Sequence, residues 1–191
     1  MADHFRRIAA AVQTPVYAYD IPAAVHSKLD HRLVLDLAAD GVIAGLKDSS
    51  DDDVGLRRVV LGKRDRGLHA FQVLTGSELM VDAALAMGVD GVVPGLGNVD
   101  PHGYVRLWDS ARQGKWEDAR TEQERLLRLF DLVDAAPQER MGRGSSALGA
   151  FKAALELRGV IATHVTAPPY IELDAGEVSV VRRHLEDAGL L

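Results

Sequence analysis

The sequence has 191 residues, of which 47% are hydrophobic, and this is enough apolar material for the core of one domain of ordinary size. It holds 22 basic against 28 acidic residues, with no Lys or Arg run longer than two, so it lacks the basic patch typical of nucleic-acid binding. The absence of cysteine excludes disulfides, thiolate metal sites and a cysteine nucleophile, and it fits a reducing cytoplasm.

The first residues, MADHFRRIAAAVQ, are charged early and lack the apolar core of a secretion signal. No stretch of the chain approaches the roughly 18 continuous apolar residues of a membrane-spanning helix. The sequence therefore predicts a cytoplasmic protein without a membrane partner.

Short apolar segments alternate with amphipathic ones in the first part of the chain, which is typical of β/α units and a parallel sheet. A helix at 3–12 is followed by predicted strands at 15–19, 42–47, 71–75 and 91–95, with helices between them at 27–39, 51–61 and 78–87. Helices then follow from Asp100 onwards, with Pro101 at a first helical position, and at 116–135, 147–158 and 176–188. Loops rich in Pro and Gly are predicted at 136–146 and 166–176.

Four β/α units make half of an eight-stranded TIM (β/α)8 barrel, whose full form takes about 250 residues. An open, doubly wound α/β sheet is the competing architecture, and periodicity alone does not separate the two. Either way the sequence predicts β/α units over residues 1–114 and a helical region over 115–191, packed on the same domain.

Candidate chemistry begins with the stretch GVIAGLK, which ends on Lys47. Because side chains alternate along a strand, Ile43, Gly45 and Lys47 share one face, and Tyr17 and Tyr19 share one face of the strand before. An amine in a partly apolar pocket can attack a carbonyl to form a Schiff base, and a phenol can shuttle the protons. The alternative is a solvated surface lysine beside a tyrosine at the edge of the core.

The acidic run DSSDDD at 48–53 is interpreted as capping and dipole chemistry before a helix rather than as a metal site. The seven histidines show no H-x-x-x-H or comparable pair. We therefore predict no metal and no cofactor.

Four sequence blocks occur in one order along the chain: YDIP at 19–22, GLKDSS at 45–50, LTGSE at 74–78 and GVDGVVPGLGNVDP at 88–101. In order and spacing they resemble the dihydrodipicolinate synthase and N-acetylneuraminate lyase family of class I aldolases. FKAALELRGV at 151–160 and TAPPY at 166–170 resemble the C-terminal helical region of that family. The resemblance covers nearly the whole chain and implies a partial TIM (β/α)8 barrel.

The resemblance implies that Lys47 forms the Schiff base with pyruvate or another 2-oxo acid and that Tyr19 relays protons and contacts the bound carboxylate. It also makes Gly76 and Glu78, after the third strand, and Gly95, after the fourth, candidate substrate-binding residues. From the residues alone, Glu78 can equally be a first-turn acid favoured by the helix dipole. Gly95 can equally be a turn residue, because PGLGN lacks the spacing of a dinucleotide site.

Two features depart from the family pattern. The family's G-T-T-G-E-like loop, which grips the substrate carboxylate, does not occur here, so the resemblance indicates the C-terminal half of the barrel, roughly its last four β/α units. Dihydrodipicolinate synthases have an arginine two residues after the proline of YDIP, where this chain has Ala24. A half-barrel leaves unpaired edges and an open face, with Ile43 and Tyr17 exposed, which predicts a homo-oligomer.

The predicted function is a Schiff-base-forming lyase or aldolase that acts on a 2-oxo acid, either of the pyruvate type or a 2-keto-3-deoxy sugar acid. One alternative is a dihydrodipicolinate synthase proper, which Ala24 disfavours. The other is a catalytically inactive, truncated family member that serves as a fragment or an assembly subunit. A doubly wound binding module would need an anion-binding helix start after the fourth strand, where only GLGNVDP is found.

Overall fold

The computed structural model describes residues 1–191, and the chain divides into two compact units, Met1–Pro94 and Gly95–Leu191. The first unit contains α1 (Ala2–Ala11), β1 (Tyr17–Asp20), α2 (Pro22–Val25), α3 (His31–Ala39), β2 (Gly45–Asp48), α4 (Asp53–Asp65), β3 (Gln72–Thr75), α5 (Val81–Met87) and β4 (Gly91–Val92). The second contains α6 (Pro101–Arg112), α7 (Trp116–Phe130), α8 (Arg143–Leu157) and α9 (Ala175–Asp187), with 3-10 turns at Leu96–Asn98 and Asp131–Asp134. The predicted α/β class is confirmed.

The four strands form one parallel sheet in the order β1-β2-β3-β4. Each strand lies beside the next one in sequence, and right-handed crossovers in such an order all pass over the same face. A doubly wound sheet instead has a point where the strand order reverses. The observed order is therefore that of a singly wound sheet, and its membership of a partial eight-stranded barrel stays a prediction.

The two faces of the sheet differ in burial. Ala18, Leu46 and Val73 point to the helix side and are 1%, 1% and 0% exposed. They belong to one core cluster with apolar side chains from α3 and α4, namely Val34, Leu37, Leu56 and Val59. The alternate residues Tyr17 and Tyr19 are 43% and 46% exposed. We call the side of the sheet that holds Tyr17, Tyr19 and Lys47 the open face.

Acidic N-caps fix where several helices begin. The Asp30 carboxylate accepts from the amides of Arg32 and Leu33, so α3 begins at 31 rather than at 27 as predicted. Asp52 accepts from the Gly55 amide at 2.8 Å, which confirms a capping role inside the acidic run. Asp174 and Glu177 form a capping box at the start of α9.

The largest departures from the predicted elements are in the strands and loops. β4 (Gly91–Val92) is shorter than the predicted strand at 91–95, although the Val93 amide still bonds to the Thr75 carbonyl at 2.8 Å. α2 was not predicted, and α8 begins inside the predicted loop 136–146.

Ile43 is buried, at 3% exposed, whereas the sequence placed it on the open face. The reason is that β2 begins only at Gly45, and the chain turns at Gly41, whose φ is +68°. The alternation of strand faces therefore does not extend back to Ile43. Tyr17, which the same argument placed on the open face, does lie there.

The second unit is built on helix pairs. α6 packs against α7, and α8 packs against α9 and the 3-10 turn before it, with a core that includes Leu107, Leu126, Leu129, Leu132, Ala153, Val181 and Leu185. The boundary between the two units lies at 94/95, because α6 packs with these helices, and the division into β/α units and a helical region at 114/115 stays a prediction.

Candidate active site

A lysine and a tyrosine meet near the carboxyl ends of β1 and β2. Tyr19 and Lys47 are register partners in the parallel ladder, so their side chains leave the sheet on the same face. The Lys47 Nζ donates to the Tyr19 Oη across 3.2 Å and lies 4.3 Å from the centroid of the phenol ring. The structure thus brings together the two residues for which sequence parity predicted a common pocket.

The surroundings of Tyr19 favour its ionised form. Burial of part of the phenol raises its pKa, but hydrogen bonds from Ser49 and Lys47 and the positive charge of Lys47 lower the pKa more, so that it lies below the ordinary value of 10.0. The nearby charge of Glu78 opposes this and raises the pKa. A phenol whose pKa is lowered in this way is a better proton donor near neutral pH than a free tyrosine.

Gly45, two residues before Lys47 on the same face of β2, leaves space for the ring of Tyr17. A Cβ at Gly45 would collide with the ring of Tyr17 and would lie 2.8 Å from the Gln72 carbonyl oxygen. The Tyr17 hydroxyl in turn donates to the Gln72 side-chain oxygen. Gly45 therefore leaves space on this face, and the Tyr17 ring fills it.

Gly76 makes a similar space above the third strand. Its amide donates to the Asp48 carbonyl at 2.7 Å, which holds the turn after β3 against the end of β2. A Cβ here would lie 3.0 Å from Lys47 Cε and would collide with the hydroxyl of Ser49. Of the predicted substrate-binding residues, Gly76 is therefore in the immediate surroundings of Lys47.

Glu78 lies in the bend after β3 and is partly buried. It precedes α5, which begins at Val81, so it is not the first-turn acid of that helix. Its influence on the Tyr19 pKa means that the carboxylate shares the electrostatic surroundings of the phenol.

Gly95 begins the second unit. Its carbonyl accepts from the Asn98 amide at 3.1 Å and from the Asn98 side-chain nitrogen at 2.9 Å, so it forms the tight turn that leads into the 3-10 segment. The observed geometry is that of the turn residue considered as its alternative role, and a contact with substrate stays a prediction.

Sequence reasoning did not single out Ser49, whose hydroxyl lies 3.5 Å from the Tyr19 Oη. The signal was available, because Ser49 follows Lys47 by two residues and side chains at that spacing share a face of a strand. Within the acidic run at 48–53, however, a serine before a helix is also ordinary capping chemistry.

A buried carboxylate cluster on the opposite side of the sheet was also not predicted. Asp20 and Asp48 are register partners and almost fully buried, and Lys28 pairs with Asp20 and lies 4.0 Å from Asp48. Burial raises the pKa of Asp48 despite hydrogen bonds from Ser50 and the charge of Lys28. A cavity of about 210 Å³ borders this cluster.

No group of three or more His, Cys, Asp or Glu side chains in residues 1–191 is arranged to hold a metal ion. No helix of the chain is both long enough and apolar enough to cross a bilayer.

A protein-family model matches nearly the whole chain. The model of the dihydrodipicolinate synthetase family matches residues 1–188. The chain belongs to this family. A 4-hydroxy-tetrahydrodipicolinate synthase of Chlorobium limicola is 30% identical over 191 residues, which cover 98% of this chain and 59% of the relative. A DapA-like lyase of Halobacterium salinarum, itself uncharacterised, is 32% identical over 189 residues, which cover 99% of this chain and 57% of the relative.

Solved structures of the dihydrodipicolinate synthetase family share the fold. YagE, a prophage protein of this family from E. coli K12 crystallised with pyruvate, matches with a TM-score of 0.85 at 26% identity and covers 100% of this chain and 61% of YagE. The dihydrodipicolinate synthase of Bacteroides thetaiotaomicron matches with a TM-score of 0.87 at 24% identity, over 97% of this chain and 60% of that protein. The chain thus spans about 60% of the length of these relatives, and its assignment to their C-terminal half stays a prediction.

Proposed function

We propose that this chain provides the Schiff-base lysine and the proton-relay tyrosine of a family lyase or aldolase that acts on a 2-oxo acid. Lys47 is the nucleophile and Tyr19 is the proton relay. The observation that supports this most directly is the 3.2 Å contact between the Lys47 Nζ and the Tyr19 Oη at the carboxyl end of the sheet, where parallel α/β folds place their sites.

The two groups suit the successive steps of iminium chemistry. The neutral Lys47 amine attacks the 2-keto carbon and forms a carbinolamine, and the phenol of Tyr19 gives a proton to the departing hydroxyl, which leaves as water. The iminium then accepts the electron pair released when the neighbouring carbon–carbon bond breaks, or stabilises the enamine that forms one. After cleavage the enamine takes up a proton at carbon and becomes an iminium again, and addition of water to that iminium releases the product and restores the amine.

Pyruvate-type acids and 2-keto-3-deoxy sugar acids are the substrates we propose, with Gly76, Glu78 and Gly95 as substrate-binding residues. The polar surroundings of Lys47 and the pyruvate bound by YagE support the first class. A dihydrodipicolinate synthase proper is the alternative favoured by the name of the Chlorobium relative. The presence of Ala24, where the family resemblance leads one to expect an arginine, speaks against that alternative.

Borohydride trapping tests the proposal. The protein is incubated with pyruvate and reduced, and the mass of the intact chain and of its peptides is measured. We expect one pyruvyl adduct on Lys47, while the four other lysines of the chain, at 28, 63, 115 and 152, stay unmodified and serve as internal controls. Absence of an adduct with pyruvate and with a panel of longer 2-oxo acids would contradict the proposal for this chain.

A second candidate is a family member without turnover that acts as an assembly subunit. It is favoured by the open face, on which Tyr17 and Tyr19 are more than two-fifths exposed. In that case the face is covered by a second copy of the chain. Trapping without product formation, together with a dimeric mass in solution, would support this candidate, and a monomer at micromolar concentration would count against it.

A further inference from the structure

We propose that Ser49 is a positioning residue for Tyr19: its hydroxyl donates to the Tyr19 Oη and fixes the phenol oxygen beside the Lys47 amine. The inference rests on the proposed function, because it assigns a second residue to the same proton relay. It goes beyond that function because neither the lysine nor the tyrosine requires a hydroxyl at this position.

The backbone holds Ser49 where its side chain can act. Its amide donates to the Asp20 carbonyl at 2.8 Å, so the ladder between β1 and β2 continues one residue past the end of β2. Strand alternation therefore also continues, and Ser49 emerges on the open face two residues after Lys47. From there its Oγ lies 3.5 Å from the Tyr19 Oη.

The neighbouring turn is shaped to accept this hydroxyl. A Cβ at Gly76 would fall on the Ser49 Oγ and would lie 3.1 Å from the Ser49 Cβ. Any residue with a side chain at Gly76 would thus push the hydroxyl away from the phenol or deny it the space. A requirement for the Ser49 hydroxyl beside Tyr19 would therefore account both for the serine at 49 and for the absence of a side chain at 76.

The electrostatics agree with a donor role. With Ser49 and Lys47 both directed at it, the Tyr19 oxygen accepts two hydrogen bonds. Among the influences that lower the Tyr19 pKa, the hydrogen bond from Ser49 is the largest, although partial burial raises the pKa. A 3.5 Å bond is long, and such bonds shorten when a ligand closes the site.

The experiment compares Ser49→Ala and Ser49→Thr with the matched control Ser50→Ala, whose hydroxyl contacts Asp48 instead of Tyr19. Ionisation of the four tyrosines is followed by NMR of ring-labelled protein, and Tyr19→Phe assigns the signal of Tyr19. In Ser49→Ala we expect Tyr19 to ionise at higher pH than in the wild type, since a donor to the phenolate is lost. Ser49→Thr and Ser50→Ala should titrate like the wild type.

The rate of borohydride trapping with pyruvate is the second readout. We expect Ser49→Ala to slow trapping by about fivefold, the change that corresponds to one net hydrogen bond, and to move the alkaline limb of its pH profile upwards. Ser49→Thr should restore both. An unchanged Tyr19 titration in Ser49→Ala overturns the inference even if Lys47 is trapped normally. A wild type that forms no adduct overturns the proposed function, whereas the NMR titration still decides the contact.

Discussion

The two faces of the sheet are made of alternate residues from the same short strands, and they have opposite properties. On the helix side, Ala18, Leu46 and Val73 are sealed in the core. On the open face, one residue along each strand, Tyr19 and Lys47 stay accessible and hydrogen-bonded to each other. A four-residue strand can thus place core residues on one face and reactive residues on the other, because successive side chains point to opposite faces and only one of the two faces is packed against helices.

Lys47→Arg tests the chemical side of this comparison and has the largest expected effect. The guanidinium keeps the positive charge but does not lose its proton in proteins, so it cannot attack a carbonyl. We expect complete loss of the pyruvyl adduct in intact-mass measurements after borohydride. The free energy of unfolding in urea should change by less than about 0.5 kcal/mol, as for surface substitutions.

Lys115→Arg is the matched control for the lysine, since Lys115 is exposed before α7. It should keep the full adduct. An adduct that survived in Lys47→Arg would mean that another amine reacts and that the nucleophile is not Lys47 of the open face.

Leu46→Ala tests the packing side at the adjacent residue. Leu46 is 1% exposed, and truncating a buried leucine costs about 2–5 kcal/mol through lost burial and the cavity left behind. Urea unfolding should show this loss. Val54→Ala on α4, where the side chain is 64% exposed, should cost less than about 0.5 kcal/mol. Equal losses at both positions would contradict the stabilising role that burial on the helix side gives to Leu46.

Strand alternation, read from the sequence, was sufficient to place Tyr17, Tyr19 and Lys47 on one face, because neighbouring parallel strands align their side chains in register. It failed at Ile43, which lies between the turn at Gly41 and the first residue of β2 and is therefore outside the ladder. The alternation of side chains between the two faces holds only for residues that are paired in the ladder. A residue in the turn before a strand can point to either face.

The contacts between residues that lie in different segments of the chain could not be predicted from the sequence. Ser49 and Gly76 meet through the ends of β2 and β3, and Asp20, Lys28 and Asp48 meet behind β1 and β2. Each residue taken alone has an ordinary local explanation as a turn, a cap or a surface charge. Only the register between strands shows that they converge.

Gly76→Ala changes a residue at the rim of the open face. The backbone there has no positive φ, so alanine is compatible with the chain conformation, but its Cβ would lie 3.0 Å from Lys47 Cε and would collide with Ser49. We expect trapping to slow by roughly 10- to 100-fold, as for small misplacements of reacting groups. The unfolding free energy should fall by less than about 1 kcal/mol, because the site is not part of the core. A variant that traps at the wild-type rate would show that the lysine and serine tolerate displacement.

Asp48→Asn probes the buried carboxylate cluster on the helix side of the sheet, and its effect should be the smallest. Burial raises the pKa of Asp48 above its ordinary value of 3.8, so the folded state keeps a proton that the unfolded state has already lost. Stability therefore falls as the pH rises from 3.8 through the folded-state pKa. Asparagine removes the charge and keeps an oxygen for the Ser50 amide, which now donates to Asp48 at 2.9 Å. Urea unfolding should show no gain for the variant at acidic pH and a gain within about 1 kcal/mol near neutral pH.

Asp51→Asn is the control for this pH dependence. Asp51 is exposed and has a φ of +58°, a conformation that asparagine also adopts readily, so Asp51→Asn removes a carboxylate of the same acidic run without removing a buried charge. If the stabilities of Asp48→Asn and the wild type ran parallel across the whole pH range, the buried carboxylate would be as well solvated by Lys28 and Ser50 as by water. The helix side of the sheet would then tolerate charge as readily as the open face, and burial alone would not explain why Lys47 lies on the open face.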